Sequence, residues 1–169
     1  MKELAHLVNE MLSAGVIQNY ALFGAVAQMR YTEPVATIDA DLLIAVPSPK
    51  RLDILSGIYE FCSKKGFRSE GEAITVGVWP VQFMPAFSPL TQEAMEKAET
   101  ADFEGVPFRV VRADYLATIA LSVGRPKDLT RILALIESGS IKKEEIKKLA
   151  GRFSLSEAWM RFEKKFSNE

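Results

Sequence analysis

Two aspartates with one residue between them, Asp39 and Asp41, open a run that turns continuously apolar, Thr37-Ile38-Asp39-Ala40-Asp41-Leu42-Leu43-Ile44-Ala45-Val46. Read as a strand from Thr37 to Val46, this run points both carboxylates to one face, with Cα atoms roughly 6.5–7 Å apart. Two like charges that close, at the edge of a buried strand, call for a cation. A hard divalent ion with oxygen ligands, magnesium or manganese, would neutralise them and leave coordination positions open for phosphate oxygens. The plainer alternative is a pair of solvated carboxylates, and D-x-D alone does not separate the two. Upstream, a strand from Val16 to Phe23 is interrupted by Gly24, and Ala25 to Met29 reads as a short helix. A strand, glycine turn and helix start in quick succession aim backbone N–H groups at one spot, where an anion can sit. Phosphate and metal would then share one site; the plain reading of Gly24 is an ordinary strand-to-helix turn.

The rest of the chain narrows the chemistry by exclusion. One cysteine, Cys62, and one histidine, His6, exclude disulfides, Cys/His zinc sites and any Ser-His or Cys-His pair that does not use His6. His6 lies among Leu4, Leu7, Val8 and Met11 on a first helix, as a surface or helix-packing residue. Carboxylates and Lys/Arg must carry any catalysis. Net charge is −1, against a dedicated nucleic-acid binder, but residues 1–124 hold 10 basic and 15 acidic side chains and residues 125–169 hold 11 and 7. The basic tail offers a patch for an anionic ligand. Against that, Lys142-Lys143-Glu144-Glu145 and Lys147-Lys148 alternate as solvated helix faces do.

The elements that must position these groups follow from periodicity. Leu4, Leu7, Val8, Met11 and Leu12 mark a helix ending near Gly15. Pro47-Ser48-Pro49 closes the aspartate strand, and Arg51 to Lys65 has helical spacing through Leu52, Leu55, Ile58, Tyr59 and Cys62, ending at Gly66. Ala73 to Val76 and Trp79 to Met84 form two strands around Gly77, with Pro80 suggesting an edge or a bulge. Ser88-Pro89 opens a helix, and Phe103 to Val111 supplies a hairpin around Glu104-Gly105. From Ala113 the pattern is helical: Tyr115, Leu116, Ile119 and Ala120, then Leu129, Ile132, Leu133 and Ile136 up to Gly139, then a last helix capped by Ser154 or Ser156 that carries Trp159, Phe162 and Phe166. The expected class is α+β, a small mixed sheet with flanking helices and a helical C-terminal part. With 169 residues, a single domain is expected, a sheet-containing core over 1–111 and helices over 112–169. No apolar run approaches the roughly 18 residues of a membrane helix. The amphipathic start, Met1-Lys2-Glu3-Leu4-Ala5-His6, is unlike a signal stretch, so a cytoplasmic protein with no membrane contact is expected.

Four segments in order resemble the DNA polymerase β-type nucleotidyltransferase superfamily, and within it the bacterial AbiEii-like proteins. They are Tyr20-Ala21-Leu22-Phe23-Gly24-Ala25-Val26-Ala27, Glu33-Pro34-Val35-Ala36-Thr37-Ile38-Asp39-Ala40-Asp41, Pro80-Val81-Gln82-Phe83-Met84-Pro85-Ala86 and Gly124-Arg125-Pro126-Lys127-Asp128. The resemblance implies that Gly24 and Ala25 bind a nucleoside triphosphate, that Asp39 and Asp41 hold Mg2+ or Mn2+, and that Lys127 and Asp128, with Arg125, line the site. Three positions depart from the superfamily pattern. Its Gly-Ser is Gly24-Ala25, the third carboxylate of the later strand is Gln82, and a later acidic position is Arg131.

A hydroxyl on a phosphate contributes on the order of 1.5–3 kcal/mol, which neighbouring N–H groups partly cover. A carboxylate that accepts the attacking hydroxyl's proton is worth about 10²–10⁴ in rate, and an amide cannot be a base. Gln82 therefore threatens transfer more than binding, unless Glu70 or Glu72, otherwise plain loop charges, takes that position. The two readings are an enzyme that moves a nucleotidyl group from an NTP to RNA, protein or a small molecule, and a degenerate nucleotide-binding or partner-binding protein of toxin–antitoxin type, with an antitoxin-like partner.

Overall fold

The computed structural model describes residues 1–47 and 53–166. Helix α1 (Lys2–Ser13) buries Leu4, Ala5, Leu7, Val8 and Met11 on one face and leaves His6 exposed. It ends at Gly15, whose φ of +69° lets the Gly15 N–H donate to the Leu12 carbonyl and the Val16 N–H to the Met11 carbonyl. This helix cap consumes Val16 and Ile17, so strand β1 is Asn19–Phe23, shorter than the expected Val16–Phe23.

Gly24 begins the short helix α2 (Gly24–Gln28), and strand β2 follows as Ala40–Ala45. Here the expected strand from Thr37 loses its first residues. β1 pairs with β2 only as far as Phe23↔Asp41, because beyond that pair β1 has turned into α2, and Thr37 to Asp39 have no ladder to join. Asp39 thus lies in the approach to β2 and Asp41 inside it.

Helix α3 (Ser56–Lys64) starts later than Arg51. Ser48, Pro49, Arg51 and Leu52, which were expected to end one element and begin the next, lie outside the described residues. A polar strand that periodicity does not signal, β3 (Arg68–Glu70), pairs antiparallel with β4 (Ala73–Val76), which pairs with β5 (Trp79–Pro85). β5 is an interior strand between β4 and β2, against the edge or bulge that Pro80 suggested. The proline is tolerated because the β2 ladder begins one residue later, at Val81↔Ala40.

Helix α4 (Pro89–Glu96) is capped by Ser88, whose hydroxyl accepts from the Thr91 N–H. Strands β6 (Glu99–Phe103) and β7 (Val106–Val110) then turn at Glu104 and Gly105, both with positive φ. The hairpin's first strand begins at Glu99, earlier than expected, since its side chains lie at the sheet edge and are largely polar.

The seven strands form one mixed sheet in the order β3-β4-β5-β2-β1-β7-β6. β2 is antiparallel to β1 and parallel to β5, and β1 meets β7 in parallel at Leu22↔Val110. Tyr20, Leu22, Leu42, Ile44, Ile74, Val81 and Phe108 are all buried in the shared core. Helices α5 (Ala113–Val123), α6 (Pro126–Glu137), α7 (Lys143–Arg152) and α8 (Ser156–Phe166) complete the chain. α5 is the hub: it packs on α6, α7 and α8 and also on α2 and α4. The α+β class with a mixed sheet and a helical C-terminal part is as expected. Among the described residues no helix is long and apolar enough to cross a membrane.

Candidate functional site

The site begins at Gly24. Its φ is +72°, and a Cβ added there would collide with Oδ2 of Asp41 and stand 3.2 Å from that residue's Cγ. Both the left-handed backbone and the absence of a side chain are therefore required at this position. The turn out of β1 rests directly against the carboxylate of β2, two elements brought together by the Phe23↔Asp41 pair. Ala25, next along, is half-buried.

Asp39 is held in place from two sides. The Thr37 hydroxyl lies 3.2 Å from Asp39 Oδ1 and also reaches its carbonyl, and Gln82 Nε2 donates to Asp39 Oδ2 at 3.3 Å. Gln82 is in register with Asp41 across the parallel β2–β5 ladder, so the amide stands beside both aspartates. Burial pushes the Asp41 carboxyl up from the ordinary aspartate range, and the Asp39 charge pushes the same way. Arg131, Lys127 and Arg125, in that order, pull it back down. The aspartate pair thus places two like charges in a half-buried setting, and the donor set of two carboxylates with an amide oxygen fits a hard divalent ion. Among the described residues no group of three or more His, Cys, Asp or Glu side chains converges on one point.

The proposed stand-ins for a third carboxylate are placed apart from this pair. Glu70 shares a row with Asp41, through Gln82 and Ala73, but sits three strands away, roughly 14 Å by ladder spacing, and is exposed. Glu72, exposed in the turn between β3 and β4, borders a cleft of about 530 Å³ that Gln82, Tyr59 and Met84 also line. The structure does not bring Glu70 to the aspartates.

The helical part contributes the cations that act on Asp41. Asp128, the third residue of α6, is 1% exposed. Its Oδ2 accepts from the Arg125 backbone N–H at 3.2 Å and from Arg125 Nε at 2.7 Å, and its Oδ1 from Arg125 Nη2 at 3.3 Å. Arg131 Nη1 lies 3.6 Å from Oδ1. Asp128 was expected to line the site with Lys127; it lies beneath the surface instead, and orients two guanidinium groups. Arg125 and Lys127 are exposed at the head of α6. Arg131 reaches across to α2, donating from Nε to Gln28 Oε1 at 3.1 Å.

Gln28, Thr37 and the cationic role of Arg131 went unread in the sequence. A polar side chain between Ala27 and Met29 on so short a helix was the available signal, and Gln28 is 4% exposed. The remaining nucleophile is out of play: Cys62 is buried, and burial pushes its thiol up to about 11.

An antigenic nucleotidyltransferase-like protein from Paracoccidioides brasiliensis superposes with a TM-score of 0.56 over 94% of this chain and 93% of its own, at 16% identity. The fold is nucleotidyltransferase-like. The antibiotic-resistance factor ANT(2'')-Ia is also similar, in solution (TM-score 0.48, 16% identity, 94% and 95% of the two chains) and in complex with adenylyl-2"-tobramycin (TM-score 0.48, 12% identity, 96% and 97%). No protein-family model and no curated protein sequence matches the chain.

Proposed function

We propose that this chain binds a nucleoside triphosphate together with Mg2+ or Mn2+ at Asp39, Asp41 and the Gly24 turn, and transfers the nucleotidyl group only slowly to a hydroxyl of RNA, a protein or a small molecule. The observation that carries this reading is the contact of Gly24 with the Asp41 carboxylate, on which the cations of α6 also act. Asp39, positioned by Thr37 and Gln82, and Asp41 would hold the ion. When bound, the ion would neutralise phosphate oxygens and make the α-phosphorus more electrophilic. The backbone N–H groups at Gly24 and Ala25 would receive phosphate oxygens, with Lys127 and Arg125 as point and forked cations for the rest of the triphosphate. The resemblance of the four sequence segments to the AbiEii-like proteins supports this reading.

A second reading has its own support. Gln82 stands where a third carboxylate would complete the site, and its amide already donates to Asp39, so no base accompanies the pair. In this reading the protein holds a nucleotide, or a toxin–antitoxin type partner, without transfer.

Thermal melting with an NTP and magnesium separates these possibilities. A ligand at about 100 times its Kd stabilises the native state by about 2.7 kcal/mol, and Asp39→Asn is expected to abolish the shift. Label from an α-labelled NTP should pass slowly or undetectably to RNA or protein, and Gln82→Asp should increase that transfer. Absence of any shift with all four NTPs and metal would discard nucleotide binding and leave the partner-binding protein.

A further inference from the structure

We propose that Arg131 is a built-in counter-cation that couples the divalent ion to the triphosphate, opposing the ion alone and favouring the ion and nucleotide together. The inference deepens the functional reading above and rests on it.

Arg131 lies in the first turns of α6, and its side chain is only 17% exposed. It spans the gap between the two halves of the chain, with Nε on Gln28 at 3.1 Å and Nη1 3.6 Å from Asp128. Asp128 is already matched by Arg125, at 2.7 Å and 3.3 Å. One buried carboxylate between two guanidinium groups leaves a positive charge in surplus, and a guanidinium does not shed its proton to relieve it. Gln28 ends α2, and Gly24, which begins it, touches Asp41. The Arg131 charge acts on the aspartate pair from there, pulling on Asp41 more than Lys127 or Arg125 does, and burial strengthens its reach.

The charge balance gives the consequence. Asp39, Asp41 and Asp128 face Arg125, Lys127 and Arg131, three anions against three cations, so the site is balanced before any ion enters. A free divalent ion would leave it two charges positive in a half-buried place. An ion that arrives with a triphosphate brings net negative charge, which the fixed charge of Arg131 opposes less than it opposes a free cation, because it attracts the one and repels the other.

Loss of the free Mn2+ electron paramagnetic resonance signal on titration, with Mn2+ alone and with Mn2+ plus each of the four ribonucleoside triphosphates, tests the role without an activity readout. Arg131→Gln should bind Mn2+ alone roughly tenfold more tightly than the unaltered protein, and Mn2+ with nucleotide roughly tenfold more weakly. Arg131→Lys keeps the charge and should keep the weak free-ion affinity. The opposed signs distinguish the proposal from a packing role, which would lower both affinities. Asp128 keeps Arg125, so the variant orphans no carboxylate. If Arg131→Gln does not melt cooperatively, the double variant Gln28→Met with Arg131→Met removes the stranded amide and carries the same comparison. Free-ion affinity unchanged or weakened in the charge-free variant, with nucleotide binding intact in the unaltered protein, overturns the role of Arg131 alone. No Mn2+-dependent nucleotide binding by the unaltered protein overturns the functional reading and the coupling with it.

Discussion

At Gly24 one residue type satisfies two demands, a positive φ and a space already filled by Asp41. Gly24→Ala should cost on the order of 1–3 kcal/mol for the strained backbone, with more for displacing Asp41, and should remove the NTP-dependent melting shift. A stable, nucleotide-binding Gly24→Ala protein would mean that the turn and the carboxylate do not form one site. Asp41 carries the opposite lesson. Burial and the Asp39 charge raise its native carboxyl above the unfolded value, so the native state binds more protons than the unfolded state in the window between the two. Stability from this group is therefore gained as pH falls through the raised native value and lost as pH rises through the same window. It follows that Asp41→Asn should raise Tm at neutral pH in the absence of ligand while abolishing the response to metal and NTP. A lower Tm in Asp41→Asn would show that the α6 cations over-compensate the charge.

Between elements, the helical part is tied to the rest by side chains as well as by packing. The Tyr115 hydroxyl of α5 donates to Glu93 Oε1 of α4, and Arg152 Nη2 of α7 donates to Glu93 Oε2 at 2.8 Å, so one carboxylate joins three helices. The Tyr115 bond holds the Glu93 carboxyl below the ordinary glutamate range, with Arg152 adding to it. This contribution is present above the unfolded glutamate value and lost as pH falls through the lower native one. Tyr115→Phe removes one hydrogen bond, expected to cost about 1 kcal/mol, or roughly 2–4 °C in Tm for a chain of this length. Differential scanning calorimetry at neutral pH checks it, and the gap between the two proteins should narrow in acid.

Across the whole molecule, the candidate site is a junction. The aspartates and the glycine turn come from the sheet, and Arg125, Lys127 and Arg131 from α6. Arg131 to Gln28 and the Ser140 hydroxyl to the Tyr31 carbonyl at 2.7 Å cross between the two parts. A ligand bound at a junction stabilises both sides of it. Amide hydrogen exchange with Mg2+ and NTP should therefore slow at residues 24–28 and 125–128 together, with little change on α1 or in the β6–β7 hairpin. Protection confined to the sheet side would remove α6 from the site.

The sequence by itself determined what depends on near neighbours. The apolar faces of α1 and α5, the proline start of α4, the turn at Glu104-Gly105, the break at Gly24 and the residue types at Asp39 and Asp41 are local patterns, because helix and turn periodicities repeat within a few residues. Tertiary structure decided everything that rests on register and burial. β3 is polar at the sheet edge and has no apolar alternation to announce it. Asp39 left the strand because β1, its would-be partner, turns away, and no property of residues 37–39 reports that. Gln82 faces Asp41 through a parallel ladder between strands distant in sequence, which periodicity within either strand cannot register. Arg131 looked like a lost acid until its partner, 103 residues earlier in the chain, was in place. The worth of a charge is set by what packs around it and how much water that packing removes, and only the folded chain defines either.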